Sequence, residues 1–177
     1  MALPNDYAGQ ACSLARALEI VGERWTLLIV RDAFFGVRRF GDFAAHLRIP
    51  RAVLTERLKS LTAAGVLTRG TGGEASPAHP EYELTSKGLA LWPVLRALTA
   101  WGDEFYAPAG PRRVLRHAAD EAPIDAAGHC TRCGAAVGPA DTVMAPGPGL
   151  AAAAAAAQDP VTLALASPHR LLEPLRD

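Results

Sequence analysis

The chain has 177 residues, half of them apolar and 6% aromatic, with 18 basic side chains balanced by 18 acidic ones. That supports one ordinary core, or two small ones, built mostly from Leu, Ala and Val. No apolar run nears the roughly 18 residues of a membrane span and MALPNDYAGQ lacks the features of a signal peptide, so we expect a cytoplasmic protein with no membrane partner.

Between Gln10 and Gly22, Leu14, Ala17, Leu18 and Val21 recur at helical spacing. A second helix spans about Glu23 to Phe35, closed by Gly36, and its broad apolar band marks it as central. RRFGDFAAHL forms a short third helix with Phe40, Phe43 and Leu47 on one face. Beyond Pro50, which suits a helix start, RAVLTERLKSLTAAGVL carries a Leu54/Leu58/Leu61 stripe and ends at Gly65. VLTRG and YEL read as two short strands joined by the Gly/Pro-rich loop GTGGEASPAHPE. TSKGLALWPVLRALTAWGDEFY reads as one long helix with a Thr/Ser cap, Pro93 in an early turn, and an apolar face of Leu89, Trp92, Leu95, Leu98, Trp101 and Phe105. Two short helices crossing through a tight turn, followed by a hairpin, define a winged helix-turn-helix. The fold class is therefore mainly α with a small β-wing.

Past Pro108 the pattern changes. PAGPRR reads as a linker, the next stretch is turn-rich with a CxxC, and APGPGLAAAAAAAQDP is of low complexity. We divide the chain into a winged helix-turn-helix domain at 1–107 and a small C-terminal, CxxC-containing appendage at 108–177. VTLALASPHRLLEPLRD either adds a strand or packs on the core.

Charge is unevenly placed. Residues 1–70 hold ten Lys and Arg against six Asp and Glu, whereas residues 71–177 hold eight against twelve. The N-terminal part therefore favours an anionic partner. With the Leu54/Leu58/Leu61 stripe inward, Ala52, Thr55, Glu56 and Lys59 project outward, and Arg51 stands at the helix start where base edges are met. Arg38 and Arg39 open the preceding helix, placed to meet phosphates. Arg69 in the wing offers a further cation, with His79 beside the loop. Arg57 flanks the buried stripe and is expected to pair with an acid such as Asp32 or Glu56, the alternative being a contact with DNA.

These residues resemble the HxlR-type family of bacterial winged helix-turn-helix transcriptional regulators. The resemblance rests on CSLARALEIVGERWTLLIVRDAFFGVRRF, on the Val-Leu-Thr-x-Arg-Leu of Val53 to Leu58, on Tyr-x-Leu-Thr-x-x-Gly at Tyr82 to Gly88, and on Trp101-Gly102 near the end of the long helix. It covers about residues 10–106. It implies sequence-specific transcriptional regulation rather than catalysis, on double-stranded DNA, by a homodimer joined through the first and last helices of the domain and bound to a pseudo-palindrome. Pro50 stands where relatives often carry a Ser-like cap, which leaves the operator sequence open. Many relatives also end in a segment like His-x-x-Cys-Gly followed by Cys-x-x-Cys-Gly. Here the second half is intact from Cys130 to Gly134, but the first reads His117-Ala118-Ala119-Asp120 and its cysteine is missing.

The three cysteines are too few for a secreted disulfide framework. Cys130 and Cys133, with His117, are candidate zinc ligands. A closed zinc site needs four, and His129 is badly placed because it adjoins Cys130. No cofactor is required, and a relic hairpin without metal is the competing reading. Cys12 begins the first helix, where the helix dipole favours a thiolate. Some regulators of this type sense electrophiles or oxidants through a thiol at the matching position, so Cys12 is a candidate sensor, its alternative being simple packing at the dimer interface. A small-molecule effector between the long helix and the C-terminal segment is a further expected partner. The alternative function is a winged-helix protein-interaction module without specific DNA binding, which would lack a steep salt dependence on DNA.

Overall fold

A computed structural model describes residue 7 and residues 9–70, 80–150 and 159–175. Helix α1 covers Ser13–Val21 and buries only Ala15 and Val21. Helix α2, Thr26–Phe34, is the central one and buries Thr26, Ile29, Val30, Asp32, Ala33 and Phe34. Two residues beyond its end stands Gly36, whose φ of 90° suits glycine alone, and a Cβ there would also collide with the Glu173 carbonyl.

Helix α3, Phe40–Leu47, turns its buried Phe43 onto α2 and stops at Arg48, which is left-handed with φ 51°. Ile49 is buried in the turn. Pro50 then caps α4, Arg51–Ala63, whose buried residues are the expected Leu54, Leu58 and Leu61. Strand β1, Leu67–Gly70, pairs antiparallel with β2, Glu81–Leu84, in the register Leu67 to Leu84 through Gly70 to Glu81. The segment entering α3 joins this wing, because Arg39 bridges Glu81 and the Tyr82 amide donates to the Arg38 carbonyl at 2.8 Å. His79 and most of the wing loop lie outside the described residues.

The long helix expected from Thr85 onward is divided. A single turn, α5, runs Ser86–Leu89, and α6 runs Trp92–Tyr106 with Pro93 in its first turn. Pro93 has no N–H to offer the Leu89 carbonyl, so a continuous helix would leave that acceptor unmet. Gly88 meanwhile packs its backbone against the Val66 carbonyl and the Leu84 side chain, in a gap that would not admit a Cβ.

The C-terminal part is more ordered than its pattern suggests. Strand β3, Arg113–His117, begins inside the expected linker and pairs antiparallel with β4, Thr142–Pro146. Strand β5, His169–Arg170, pairs with the other edge of β4. Helix α7, Pro160–Ala164, is capped by Asp159, which accepts from the Thr162 amide at 2.9 Å, and it packs against α3. The last described residues do both things expected of them: they add β5 and they pack on the core.

Met144, Val161, Leu165 and Leu171 are fully buried in the same cluster as Phe34, Phe43 and Leu54. The change of pattern at residue 108 is thus crossed by a continuous core. Leu172 donates its amide to the Phe34 carbonyl at 2.8 Å and Leu175 donates to that of Gly36 at 3.3 Å, so this segment lies across the end of α2. A second, much smaller cluster joins Ala122, Cys130 and Val137.

Among the described residues Asp32 is the buried charged group, beside the buried hydroxyls of Thr26 and Thr142. The Asp32 side chain is 0% exposed. It accepts from Arg31 Nε and Nη2 at 3.0 and 2.7 Å on one oxygen and meets His46 Nδ1 at 2.7 Å on the other, which ties α2 to α3. Arg57 therefore pairs elsewhere, at 3.7 Å from Glu23. Asp32→Asn keeps the shape but sets an amide against two donors, so urea unfolding should show a loss of about 3 kcal/mol. A loss well under about 1 kcal/mol would mean the cluster is no stronger than a surface pair.

Candidate nucleic-acid interface

Helix α4 turns Arg51, Ala52, Thr55, Glu56 and Lys59 to solvent, opposite its leucine stripe. Arg39, Arg51, Thr55, Lys59 and Arg69 line one concavity, with Phe40, Gly41, Asp42, Pro80, Glu81 and Tyr82 completing its walls. Four cations from the α3 entry, α4 and β1 thus converge on a surface that carries two acids.

Two of these side chains are pre-set. The Arg51 guanidinium lies over the Phe40 ring, 5.7 Å from its centroid, a contact that restrains a long side chain without using its donors. Arg39 Nε is 3.7 Å from the Glu81 carboxylate, which holds it at the wing base while its side chain stays 44% exposed. The Thr55 hydroxyl donates to the Arg51 carbonyl at 2.9 Å, which commits its proton and leaves its lone pairs and methyl for an outside group.

The Arg-Arg pair splits. Arg38 does not line the concavity. It pairs with Glu83 of β2 at 2.7 Å and donates to the Leu172 carbonyl at 3.4 Å, joining the wing to the C-terminal segment. Ala52 and Glu56 share the exposed face of α4 but lie outside the concavity lining. Sequence reasoning missed Asp42, in the first turn of α3, and Glu81 and Tyr82, which reach this surface because the wing strand pairs beside the α3 entry.

Elsewhere, Cys12 is an exposed free thiol at the N-cap of α1. Outward apolar groups lie on the same helix, at Leu14 and Leu18, and on α6 at Val94, Leu98, Trp101, Phe105 and Tyr106. Trp101 is 54% and Phe105 60% exposed, with their ring centroids 5.7 Å apart. Of the three candidate zinc ligands, all come together, and Asp120 joins them: one ligand atom from each of His117, Asp120, Cys130 and Cys133 lies within 4.8 Å of the others. The Ala122 amide, with smaller help from Cys130, His117 and Arg132, outweighs desolvation and holds the Asp120 carboxyl below the usual carboxylate range. His129 faces Asp125 instead, at 3.9 Å. Among the described residues no helix is long and apolar enough to cross a membrane.

A helix-turn-helix whose second helix opens onto a basic concavity beside a two-stranded wing defines a winged helix-turn-helix DNA-binding protein. The sequence matches the HxlR-like helix-turn-helix family over residues 20–109, and the chain belongs to that family. An HTH-type transcriptional regulator of Mycobacterium tuberculosis strain H37Rv is 44% identical over 151 residues, covering 85% of this chain and 94% of its own length. The HTH-type regulator YvaP of Bacillus subtilis is 39% identical over 94 residues, covering 52% of this chain and 86% of its own. The crystal structure of PA1607, named as a candidate transcription factor, superposes with a TM-score of 0.60 at 35% identity, covering 74% of this chain and 92% of that one. The protein is a DNA-binding transcriptional regulator.

Proposed function

We propose that this regulator acts in the cytoplasm as a homodimer on a pseudo-palindromic operator, with no cofactor required for binding. The observation that carries the reading is the convergence of Arg39, Arg51, Thr55, Lys59 and Arg69 on one concavity. In this reading α4 enters the major groove, with Arg51, Ala52, Thr55 and Glu56 toward base edges. Arg39, Lys59 and Arg69 meet phosphates on either side. Arg38, held by Glu83 and the Leu172 carbonyl, braces the wing and makes no phosphate contact of its own.

Leu14 and Leu18 of α1 and Leu98, Trp101 and Phe105 of α6 supply the dimer surface, since exposed rings of this size gain about 1.5–3 kcal/mol each on burial. Cys12 stands one residue before α1. Its modification would act at that surface and so on the spacing of the two recognition helices. That places a thiol response, rather than an effector cavity, first among the routes of control.

The test is fluorescence anisotropy of the protein on fragments that include the region upstream of its own gene, across a salt series. A selective signal whose affinity falls steeply with salt supports the reading. Weak binding to every fragment with little salt dependence overturns it in favour of a protein-interaction module.

A further inference from the structure

We propose that His117, Asp120, Cys130 and Cys133 are the four ligands of a structural zinc ion, with Asp120 in the place of the cysteine missing from the His-x-x-Cys half of the motif. The inference stands on the C-terminal cluster and is independent of the DNA reading.

The geometry is that of a coordination tetrahedron. With zinc–sulfur bonds of about 2.3 Å and zinc–nitrogen or zinc–oxygen bonds of about 2.0 Å, tetrahedral edges are about 3.5 Å between sulfur and a lighter ligand and about 3.3 Å between the lighter two. Cys130 Sγ lies 3.5 Å from Asp120 Oδ1, His117 Nδ1 lies 3.4 Å from the same oxygen, and Cys133 Sγ lies 3.6 Å from His117 Nδ1. Three edges of the polyhedron are therefore already at their bonded lengths.

The backbone around Cys130 points the same way. The amides of Arg132 and Cys133 both aim at Cys130 Sγ, at 3.4 and 3.5 Å. Both amides can go on donating to this sulfur once a metal has displaced its proton. Gly134 follows with φ 73°, the left-handed residue that closes such a turn. Two thiolates and an imidazole select a borderline-soft cation such as zinc over magnesium or calcium. Four protein ligands leave no open position for a reactive water, so the site is structural. Binding Zn²⁺ displaces the two thiol protons to solvent and leaves the metal and its ligands with one net negative charge.

The surroundings supply the need. His117 ends β3, while Cys130 and Cys133 belong to a turn whose own core is the small Ala122, Cys130 and Val137 cluster. So little apolar burial does not hold a segment of this length alone, and small units of this kind are commonly stapled by a metal.

The experiment uses the full-length protein, stripped with a chelator under reducing conditions and titrated with Zn²⁺ against a chromophoric competitor. The variants are Cys133→Ser, Asp120→Ala and Asp120→Cys. We expect about one zinc per chain. Cys133→Ser and Asp120→Ala should each weaken binding by about 100-fold or more, beyond what loss of a mere supporting group costs. Asp120→Cys should tighten it by at least about 10-fold, because a thiolate replaces a harder oxygen. With Co²⁺ in place of zinc, thiolate-to-cobalt charge transfer should grow in Asp120→Cys and shrink in Cys133→Ser, a signature that misfolding would not produce. No zinc uptake by the wild-type chain overturns the proposal, as does zinc binding that neither Asp120 variant changes.

Discussion

In the proposed dimer, replacing Trp101 and Phe105 with glutamate is expected to leave monomers and to weaken operator binding by at least about 100-fold, the gain that a linked second half-site provides. Both rings stand more than half exposed on α6, and Trp101 also lies 5.2 Å from the Tyr106 ring. Three adjoining aromatic side chains in water form an apolar patch of the kind that marks an interface. Two glutamates per subunit would place four charges in a contact meant to exclude water, which opposes association strongly. Light scattering reads the mass, and circular dichroism confirms that the variant folds, since neither ring belongs to the core. A variant that stays dimeric would move the interface off α6 and leave α1 or the C-terminal segment as the place to look.

The second large effect concerns the concavity. Arg39→Ala with Arg51→Ala removes two cations per subunit, so the slope of log affinity against log salt should flatten by about 2 to 4 for a dimer. Arg38→Ala should leave that slope alone. It breaks a half-exposed ion pair with Glu83, which costs up to about 1 kcal/mol in unfolding free energy. The split within adjacent arginines is the informative part. Equal slope changes for Arg38 and Arg39 would mean that both reach the backbone of the DNA and that the wing contact of Arg38 opens on binding.

The helix-turn-helix was legible because local chemistry decides it. Leu54, Leu58 and Leu61 share one face by spacing alone, and Pro50 marks where α4 starts. The outward set of α4 followed from the same geometry. What escaped the sequence depends on residues far apart. Strands β3 and β4 pair across more than twenty residues of turns, so neither is announced by a neighbouring hairpin signal. Asp32 reads as one more turn of α2, and only the crossing of α3 brings His46 to its carboxylate. Asp120 read as the absence of a cysteine, because its nearness to Cys130 is set by the turn after β3. The broken helix was half legible: Pro93 was in view, but the demand for Gly88 comes from Val66, across the wing.

The strap formed by residues 172–175 has a consequence for synthesis. Arg38 and the Leu172 carbonyl that it binds are 134 residues apart in sequence. At typical elongation rates the ribosome needs on the order of ten seconds to make that stretch. During that time α2, α3 and α4 exist without Met144, Val161, Leu165 and Leu171 to close their core. A nascent or C-terminally clipped chain would carry its operator-reading helix on an open apolar floor, a ready client for chaperones and proteases. The floor under α4 is thus closed only once residues 144–171 have been made and packed beneath it.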